Sequence, residues 1–204
     1  MKKIILLFIL ISNFVYSQKE YTFDTYYRYI DAVNDESFVL LNSSDPTYIL
    51  CGRYEKTNVT IGKLISSNSN VIHNFLVKDL YELEYLAQES SKMKLSNKYE
   101  YTFIENKIDD EHLKLEINLL KIRNKSKKVV RESYLKYKKS NEFKFNSLAI
   151  DYYTHNLVRE TEFKETNFGY PIEIYSKDFK GNEYRVNLIS KLKINKSVNM
   201  TVND

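Results

Sequence analysis

The residues of this chain that could take part in acid–base, nucleophilic or metal chemistry are few and widely spaced. The three histidines, His73, His112 and His155, stand far apart, whereas a zinc-binding strand or helix needs two ligands within a few positions of each other. Cys51 is the only cysteine, and its apolar neighbours indicate a small buried side chain, with a reactive thiol or an intermolecular disulfide as the alternative. No serine stands in the Gly-x-Ser-x-Gly context of an activated nucleophile, so the sequence predicts no catalytic residue.

One short stretch, residues 109–112 with the sequence Asp-Asp-Glu-His, does concentrate potential metal ligands. A calcium loop needs oxygen ligands at alternate positions and a glycine at its bend, and both features are missing here. The stretch therefore predicts a polar turn that leads into a strand at Leu113, and we expect no metal site and no cofactor. His73 alternates with the apolar Phe75 and Val77, which favours a buried histidine over a catalytic base.

The elements that must position these residues are mostly β-strands. The chain has 18 Tyr and 11 Phe but only four Gly and two Pro, and aromatic side chains fit a pleated, half-buried surface. Apolar and polar residues alternate along most segments, which puts one set on each face of a sheet and favours antiparallel pairing. Strands are predicted over residues 21–29, 37–42, 48–55, 59–66, 71–77, 80–87, 99–103 and 113–119.

Near the C-terminus the sequence predicts a hairpin. Residues 171–175 and 184–188 are its strands, and Gly181-Asn182 supplies residues that tolerate the positive φ of a tight turn. A short helix is predicted over residues 145–153, while residues 128–138 fit a helix or a strand, and we expect a strand in their second half. The predicted fold class is mainly β: a curved antiparallel sheet, as a half-barrel or open barrel, with one or two short helices.

The N-terminus predicts export. Lys2 and Lys3 precede an apolar run over residues 4–11, and Val15 and Ser17 suit the positions before a cleavage site. We therefore predict a signal peptide over residues 1–17, a single β-rich domain over residues 18–204, no transmembrane segment after cleavage, and a periplasmic or secreted bacterial protein. Cleavage removes two lysines and lowers the formal net charge from +4 to +2, a near-neutral balance that argues against a nucleic-acid partner.

Charge is unevenly distributed along the chain. Residues 121–139 hold nine Lys or Arg and one acid, and the preceding residues 79–111 hold nine acids and four Lys. The basic stretch predicts a surface for an anionic partner, and a solvated face balanced by the acidic stretch is the alternative. The residues of this predicted surface are Lys121, Arg123, Lys125, Lys127, Lys128 and Arg131.

A family resemblance rests on the C-terminal hairpin. The sequence Tyr-Pro-Ile-Glu-Ile-Tyr at residues 170–175, Asp178, Lys-Gly-Asn at residues 180–182 and the strand residues 186–188 and 192–195 resemble the closing hairpin of the periplasmic outer-membrane lipoprotein carrier superfamily. The resemblance covers about 30 of the 204 residues. It implies a curved half-barrel capped by helices, with an apolar cavity for acyl chains, and assigns no functional residue.

Three functions are compatible with these features. The first is a non-enzymatic exported envelope protein that binds a lipidic or apolar ligand on the concave face of a curved sheet, with lipid or another envelope component as partner. The second is an interaction module that engages an anionic partner through residues 121–139. The third is an enzyme whose site is assembled from distant residues, which the missing motifs disfavour.

Overall fold

The computed structural model of the chain describes residues 17–54, 60–67, 72–78, 82–89, 99–123, 126–155 and 168–202. The predicted signal peptide lies outside these ranges except for Ser17, and so do Val71 of a predicted strand and Lys125 of the predicted basic surface. The described elements are β1 (Ser17–Asp31), β2 (Glu36–Leu41), β3 (Tyr48–Tyr54), β4 (Thr60–Ser66), β5 (Ile72–Val77), β6 (Leu83–Glu89), β7 (Tyr99–Lys107), β8 (His112–Arg123), β9 (Ser126–Lys139), α1 (Ser147–His155), β10 (Gly169–Asp178) and β11 (Glu183–Val202).

All eleven strands belong to one antiparallel sheet with the order β6-β5-β4-β3-β2-β1-β11-β10-β9-β8-β7. Each half of the sheet is a meander of sequence neighbours, and the two halves meet at the β1–β11 pair. Within the described residues β6 and β7 are edge strands, so the sheet is open rather than closed into a barrel. The predicted mainly β, antiparallel fold class is confirmed.

The central β1–β11 pair contains two irregularities that change which side chains share a face. The register shifts between Phe23 and Thr25 and again between Arg28 and Tyr29, as expected where an extra residue interrupts the ladder. In both places β11 has the extra residue. Side chains of β1 also change face over this stretch, since Tyr21 and Phe23 pack into one apolar core and Tyr27 and Tyr29 pack into another. Alternation over residues 21–29 is therefore real in the sequence but does not mark a single face.

The sheet carries a core on each face. We call the face that contacts α1 the inner face; its core includes Tyr27, Ile49, Leu115, Leu135 and Ile174. The core on the opposite, outer face lies over the N-terminal half of the sheet and includes Phe23, Phe38, Leu40, Leu50, Leu64 and Phe75. Strand β8 shows the predicted alternation, but β2 and β3 are buried on both faces for most of their length.

Helix α1 and the segment before it fill the inner face. The Asn146 side chain caps the helix, because its Oδ1 accepts a hydrogen bond from the Ala149 amide at 2.9 Å. Phe145 is 1 % exposed and its ring centroid lies 5.3 Å from that of Tyr27. The Tyr27 hydroxyl donates to the Lys144 carbonyl at 2.9 Å, which ties the segment to the centre of the sheet. The predicted helix is thus confirmed.

Two further predictions concern the C-terminal half. The ambiguous residues 128–138 all lie in strand β9, so the expectation of a strand is confirmed over the whole stretch. The β10–β11 hairpin is present, with the Asp178 carboxylate accepting from the Lys180 amide at 2.8 Å and the Asn182 amide at 3.0 Å. Gly181 has a φ of 86°, the conformation that the turn required. In the described part of the chain no helix has the length and hydropathy to cross a membrane.

Candidate functional site

The predicted basic surface lies on the β8–β9 hairpin, which extends beyond the neighbouring strand β10. Strand β10 pairs with β9 only from residue 131 to residue 139, whereas β8 and β9 stay paired as far as Arg123 and Ser126. We call residues 120–123 and 126–130 the hairpin tip. Among the described residues, β7 flanks the tip with the Tyr99–Lys121 and Glu100–Leu120 pairs, and the Phe179 amide of the β10–β11 turn donates to the Val130 carbonyl at 3.0 Å. The tip is therefore more open to a partner than the rest of the sheet.

Four of the predicted basic residues are exposed on the hairpin tip, and they are Lys121, Arg123, Lys127 and Lys128. Lys127 Nζ forms an ion pair with Glu100 Oε2 at 2.6 Å. Lys121 and Lys128 lie directly opposite each other on adjacent strands. Like charges in directly opposed positions repel and cost stability. The repulsion between Lys121 and Lys128 therefore destabilises the tip, and a bound anion would offset this repulsion.

Arg131, the sixth predicted residue, is separated from the hairpin tip. The β8–β9 register moves from the Leu119–Arg131 pair to the Leu120–Val129 pair, which leaves one extra residue on β9. Such a bulge re-aims the side chains on either side of it. Arg131 is half-buried, and its Nη1 donates to the Thr154 carbonyl of α1 at 3.0 Å. It therefore belongs to the inner face.

Arg131 lines a small pocket at the C-terminal end of α1. The pocket has a volume of about 170 Å³ and is lined by Arg53, Arg131, Tyr152, Tyr153 and Tyr184. We call it the arginine pocket. Its residues come from β3, β9, α1 and β11, so both halves of the sheet and the helix contribute to it. The Arg53 guanidinium carbon lies 5.4 Å from the centre of the Tyr184 ring, which is cation–π geometry.

The tyrosines of the arginine pocket keep their protons at neutral pH. Burial raises the pKa of Tyr152, Tyr153 and Tyr184, and the positive charge of Arg53 opposes this rise at Tyr184. The Tyr153 hydroxyl also lies 3.2 Å from Ser37 Oγ. Neutral phenols act as hydrogen-bond donors as well as acceptors. The pocket therefore combines two cations with hydroxyl groups and aromatic walls.

A buried carboxylate lies close to Arg131. The Tyr101 hydroxyl donates to Asp151 Oδ1 at 2.9 Å, and Asp151 is only 4 % exposed. Burial, followed by the charge of Asp151, raises the pKa of Tyr101, and the charge of Arg131 opposes that rise. Arg131 is therefore near enough to this pair to balance part of the carboxylate charge. Asp151 is placed by α1, one turn before Thr154.

The two histidines whose side chains the structure describes, His73 and His112, are held by contacts with neighbouring residues. His73 is 6 % exposed beside Tyr85, as predicted for a buried histidine, and burial followed by the charge of Lys19 lowers its pKa. His112 Nδ1 lies 3.0 Å from Asp109 Oδ1, and this carboxylate also accepts from the amides of Glu111 and His112. The predicted polar turn before β8 is confirmed. The side chain of His155 lies outside the described residues.

Cys51 is buried in the inner-face core, which confirms its prediction as a small buried side chain. Its Sγ lies 3.5 Å from the Lys63 carbonyl oxygen. Burial raises the pKa of the thiol, so the thiolate needed for nucleophilic attack is disfavoured. Among the described residues no group of three or more His, Cys, Asp or Glu side chains is placed to hold a metal ion.

Sequence reasoning did not predict the arginine pocket. Arg53 stands at the end of an apolar strand, and Tyr184 stands among the residues assigned to the C-terminal hairpin. No sequence spacing relates either position to Arg131 or to α1, because the pocket is built from residues of both halves of the sheet and of the helix. The one available signal was an arginine directly after the buried run that ends at Gly52.

Comparison of the chain with protein-family models, with curated proteins and with solved structures finds no match in any of the three. The resemblance of the β10–β11 hairpin to the lipoprotein carrier superfamily accordingly stays a prediction. The hairpin tip and the arginine pocket are the two features of the described residues that indicate a function.

Proposed function

We propose that this chain is a non-enzymatic, exported envelope protein that binds an anionic partner through the hairpin tip. The observation that carries the proposal is the directly opposed pair Lys121–Lys128, both of whose side chains are exposed, on a hairpin that extends beyond β10. Arg123 adds to the positive charge at the same place, whereas the charge of Lys127 is balanced by its ion pair with Glu100. A partner with several negative charges, such as an anionic membrane surface or an acidic polysaccharide, would meet these groups together.

Electrostatic contributions at such a surface are individually small and act together. Two unit charges about 4 Å apart interact by about 1 kcal/mol in bulk water, and by several times more near a protein surface. A partner with closely spaced negative charges therefore gains from Lys121, Arg123 and Lys128, and it also offsets the repulsion between Lys121 and Lys128. The same reasoning predicts strong salt dependence, because exposed charges are screened within about 10 Å at 0.1 M salt.

The apolar-ligand hypothesis receives less support from the described residues. Phe145 and Ile150 are almost fully buried on the inner face, where the hypothesis requires a cavity. Sites for drug-sized ligands usually have volumes of roughly 300–1,000 Å³. The arginine pocket, at about 170 Å³, is smaller and is lined by two arginines. Lipid retained by protein purified from a cell envelope, measured by native mass spectrometry, would restore this hypothesis.

The proposal is tested by binding to vesicles that contain phosphatidylglycerol, to neutral phosphatidylcholine vesicles and to dextran sulfate. The test variant is Lys128→Glu. The matched control is Lys180→Glu, which makes the same charge change at an exposed position in the β10–β11 turn. We expect the natural sequence to bind at least one anionic probe in low salt, the control to bind as well, and the Lys128→Glu variant to lose most of its binding.

A stability measurement on the same variant excludes unfolding as the cause of any loss. Lys128→Glu places a carboxylate opposite Lys121, and an opposed pair of opposite charges contributes about 0.2–1 kcal/mol. We therefore expect this variant to be slightly more stable than the natural sequence while binding more weakly. Equal binding by Lys128→Glu and Lys180→Glu, or no binding to either anionic probe in low salt, would refute the proposal.

A further inference from the structure

Independently of the hairpin tip, we propose that the arginine pocket binds a small carboxylic acid that carries one ring. The pocket lies on the inner face at the end of α1, and its two guanidinium groups come from opposite halves of the sheet. Guanidinium groups donate paired hydrogen bonds whose geometry matches a carboxylate. The aromatic side chains between them suit an apolar ring on the same molecule.

Arg131 is held in place before any ligand arrives. Its Nη1 donates to the Thr154 carbonyl at 3.0 Å, and the same carbonyl accepts from Ser176 Oγ at 3.0 Å. The Thr154 hydroxyl in turn donates to the Ile150 carbonyl at 2.8 Å, within α1. One of the five N–H donors of Arg131 is used in this way. A guanidinium fixed by such a network loses little conformational freedom when it binds a ligand.

Arg53 is the adaptable partner of this fixed cation. Its side chain is exposed and packs against Tyr184, with 5.4 Å between the guanidinium carbon and the ring centre. Its charge also acts on the hydroxyl of Tyr152, where it opposes the effect of burial on the pKa. Arg53 is therefore within electrostatic reach of two of the three tyrosines that line the pocket. Of the two cations that line the pocket, Arg53 is the more exposed and Arg131 is half-buried.

The size of the pocket limits the body of the ligand. A cavity of about 150 Å³ lined by apolar side chains accommodates a benzene molecule in a well-studied case. The arginine pocket, at about 170 Å³, has room for one six-membered ring and a small charged group. The rings of Tyr152, Tyr153 and Tyr184 line that space. Larger polycyclic or long-chain acids do not fit within this volume.

The local charge favours a monoanion. Arg53 and Arg131 bring two positive charges, and Asp151, which accepts a hydrogen bond from Tyr101 beside Arg131, brings one negative charge. Two further carboxylates are within electrostatic reach of the lining residues, because the charge of Asp31 acts on Tyr184 and that of Arg131 acts on Asp178. Since these carboxylates leave no excess positive charge for a dianion, a carboxylate matches the pocket better than a phosphate dianion. The hydroxyls of Tyr152 and Tyr184 already interact with Cys51 and with Ser37, so the guanidinium groups are the donors for the carboxylate oxygens. Together these features identify a ring-bearing monocarboxylate as the ligand class.

Three probes of similar size keep the ring and differ in charge, so they test the contribution of the charge separately. Benzoate carries the ring and a monoanion, phenyl phosphate carries the ring and a dianion at neutral pH, and benzyl alcohol carries the ring without charge. Titration is followed by the side-chain Nε–H signals of ¹⁵N-labelled arginine, so that binding is located in the molecule. We expect benzoate to shift the signals of Arg53 and Arg131 and to bind more tightly than either other probe.

Variants assign the binding to the pocket. Arg53→Gln removes an exposed charge and should leave the fold intact, while Arg123→Gln makes the same change on the hairpin tip. Loss of a charged hydrogen bond corresponds to about a tenfold or greater loss of affinity, which we expect for Arg53→Gln and not for Arg123→Gln. Tyr184→Phe, which removes only a hydroxyl, should weaken benzoate binding by a smaller factor.

The outcomes that overturn the inference are distinct from those for the hairpin tip. Absence of benzoate binding, equal affinity for benzyl alcohol, or equal losses in Arg53→Gln and Arg123→Gln would each refute a carboxylate site. Tighter binding of phenyl phosphate than of benzoate would refute the monoanion assignment. Lys128→Glu leaves the pocket unchanged, so we expect it to bind benzoate with the affinity of the natural sequence, whatever its binding to vesicles.

Discussion

Replacing Phe145 by alanine tests whether the segment that leads into α1 is an integral part of the inner-face core. The Phe145 side chain is 1 % exposed, and its ring centroid lies 5.3 Å from that of Tyr27, 6.2 Å from that of Tyr29 and 6.3 Å from that of Tyr153. It therefore joins the sheet to the helix through aromatic contacts on both sides. If the segment merely lay over an otherwise complete core, its removal would cost little.

The expected cost follows from the burial of the side chain. A fully buried aromatic side chain removes roughly 150–250 Å² from water, and at about 25 cal/mol per Å² this corresponds to roughly 4–6 kcal/mol. Alanine retains a small part of that area, and measured Phe→Ala substitutions in cores cost about 3–5 kcal/mol. We therefore expect Phe145→Ala to lower the free energy of unfolding by about 4 kcal/mol. Phe145→Leu, which conserves most of the volume, should cost about 1 kcal/mol.

Urea denaturation followed by far-ultraviolet circular dichroism measures both variants on the same scale. The chain has no tryptophan, so the secondary-structure signal is the more direct probe of unfolding. A typical domain is stable by about 5–15 kcal/mol, which leaves Phe145→Ala folded but close to its limit. Added benzene should partly restore stability, because the deleted ring leaves an apolar cavity of matching shape.

Two results would refute the role of Phe145 in the core, and a third would refute the expected cavity. A loss below about 1 kcal/mol for Phe145→Ala would mean that the segment contributes little to the core, and it would favour an inner face that opens for an apolar ligand. Equal losses for Phe145→Ala and Phe145→Leu would mean that the effect does not follow the deleted volume. Failure of benzene to raise the stability of the alanine variant would show that the cavity collapses.

Three further results are expected. Gly169→Ala should lower the free energy of unfolding by at least about 2 kcal/mol, because Gly169 has a φ of 154° and a Cβ there would overlap the Lys138 carbonyl oxygen. Gly181→Ala, which has open space around the new Cβ, should lower it by about 1 kcal/mol. Equal urea midpoints for the two variants would contradict this difference. Burial raises the pKa of Tyr29 well above 10.0, so the stability that this phenol contributes is complete below pH 10 and falls as the pH rises further. The difference in free energy of unfolding between the natural sequence and Tyr29→Phe should therefore change above pH 10, and a difference that is independent of pH would contradict this. The Cys51 thiol should react with a thiol reagent only as fast as the protein unfolds, and rapid labelling of the folded protein would show that it is accessible.

The strands were predictable from the sequence because their alternation is a local property. Strand β8 has buried residues at every second position, and its predicted core at residues 113–119 matches the structure. The β10–β11 hairpin was equally predictable from the sequence, since Asp178 and Gly181 determine the turn by hydrogen bonding and by positive φ. Even the ambiguous residues 128–138 were correctly expected to include a strand.

The two-faced burial of β2 and β3 was not predictable in the same way. Phe38, Leu40 and Leu50 are apolar, but a run of apolar residues in a strand does not say what covers its second face. In the structure that face belongs to the outer-face core, to which Tyr21 and Phe23 contribute, whereas Tyr27 and Tyr29 of the same strand pack on the inner face. An irregularity in pairing has no reliable sequence signal, so its effect on the assignment of faces appears only in three dimensions.

Helix α1 gives the two proposed sites different dependence on the core. The helix supplies Tyr152 and Tyr153 to the arginine pocket, and its Thr154 carbonyl accepts the hydrogen bond from Arg131. Among the described residues, no hydrogen bond joins the hairpin tip to α1. Loosening α1 should therefore weaken benzoate binding and leave binding to anionic vesicles intact. Phe145→Leu is mild enough to stay folded and makes this comparison possible. Conversely, a ligand that binds only the folded pocket stabilises the protein in proportion to the logarithm of its concentration, so benzoate should raise the melting temperature of the natural sequence but not that of Arg53→Gln.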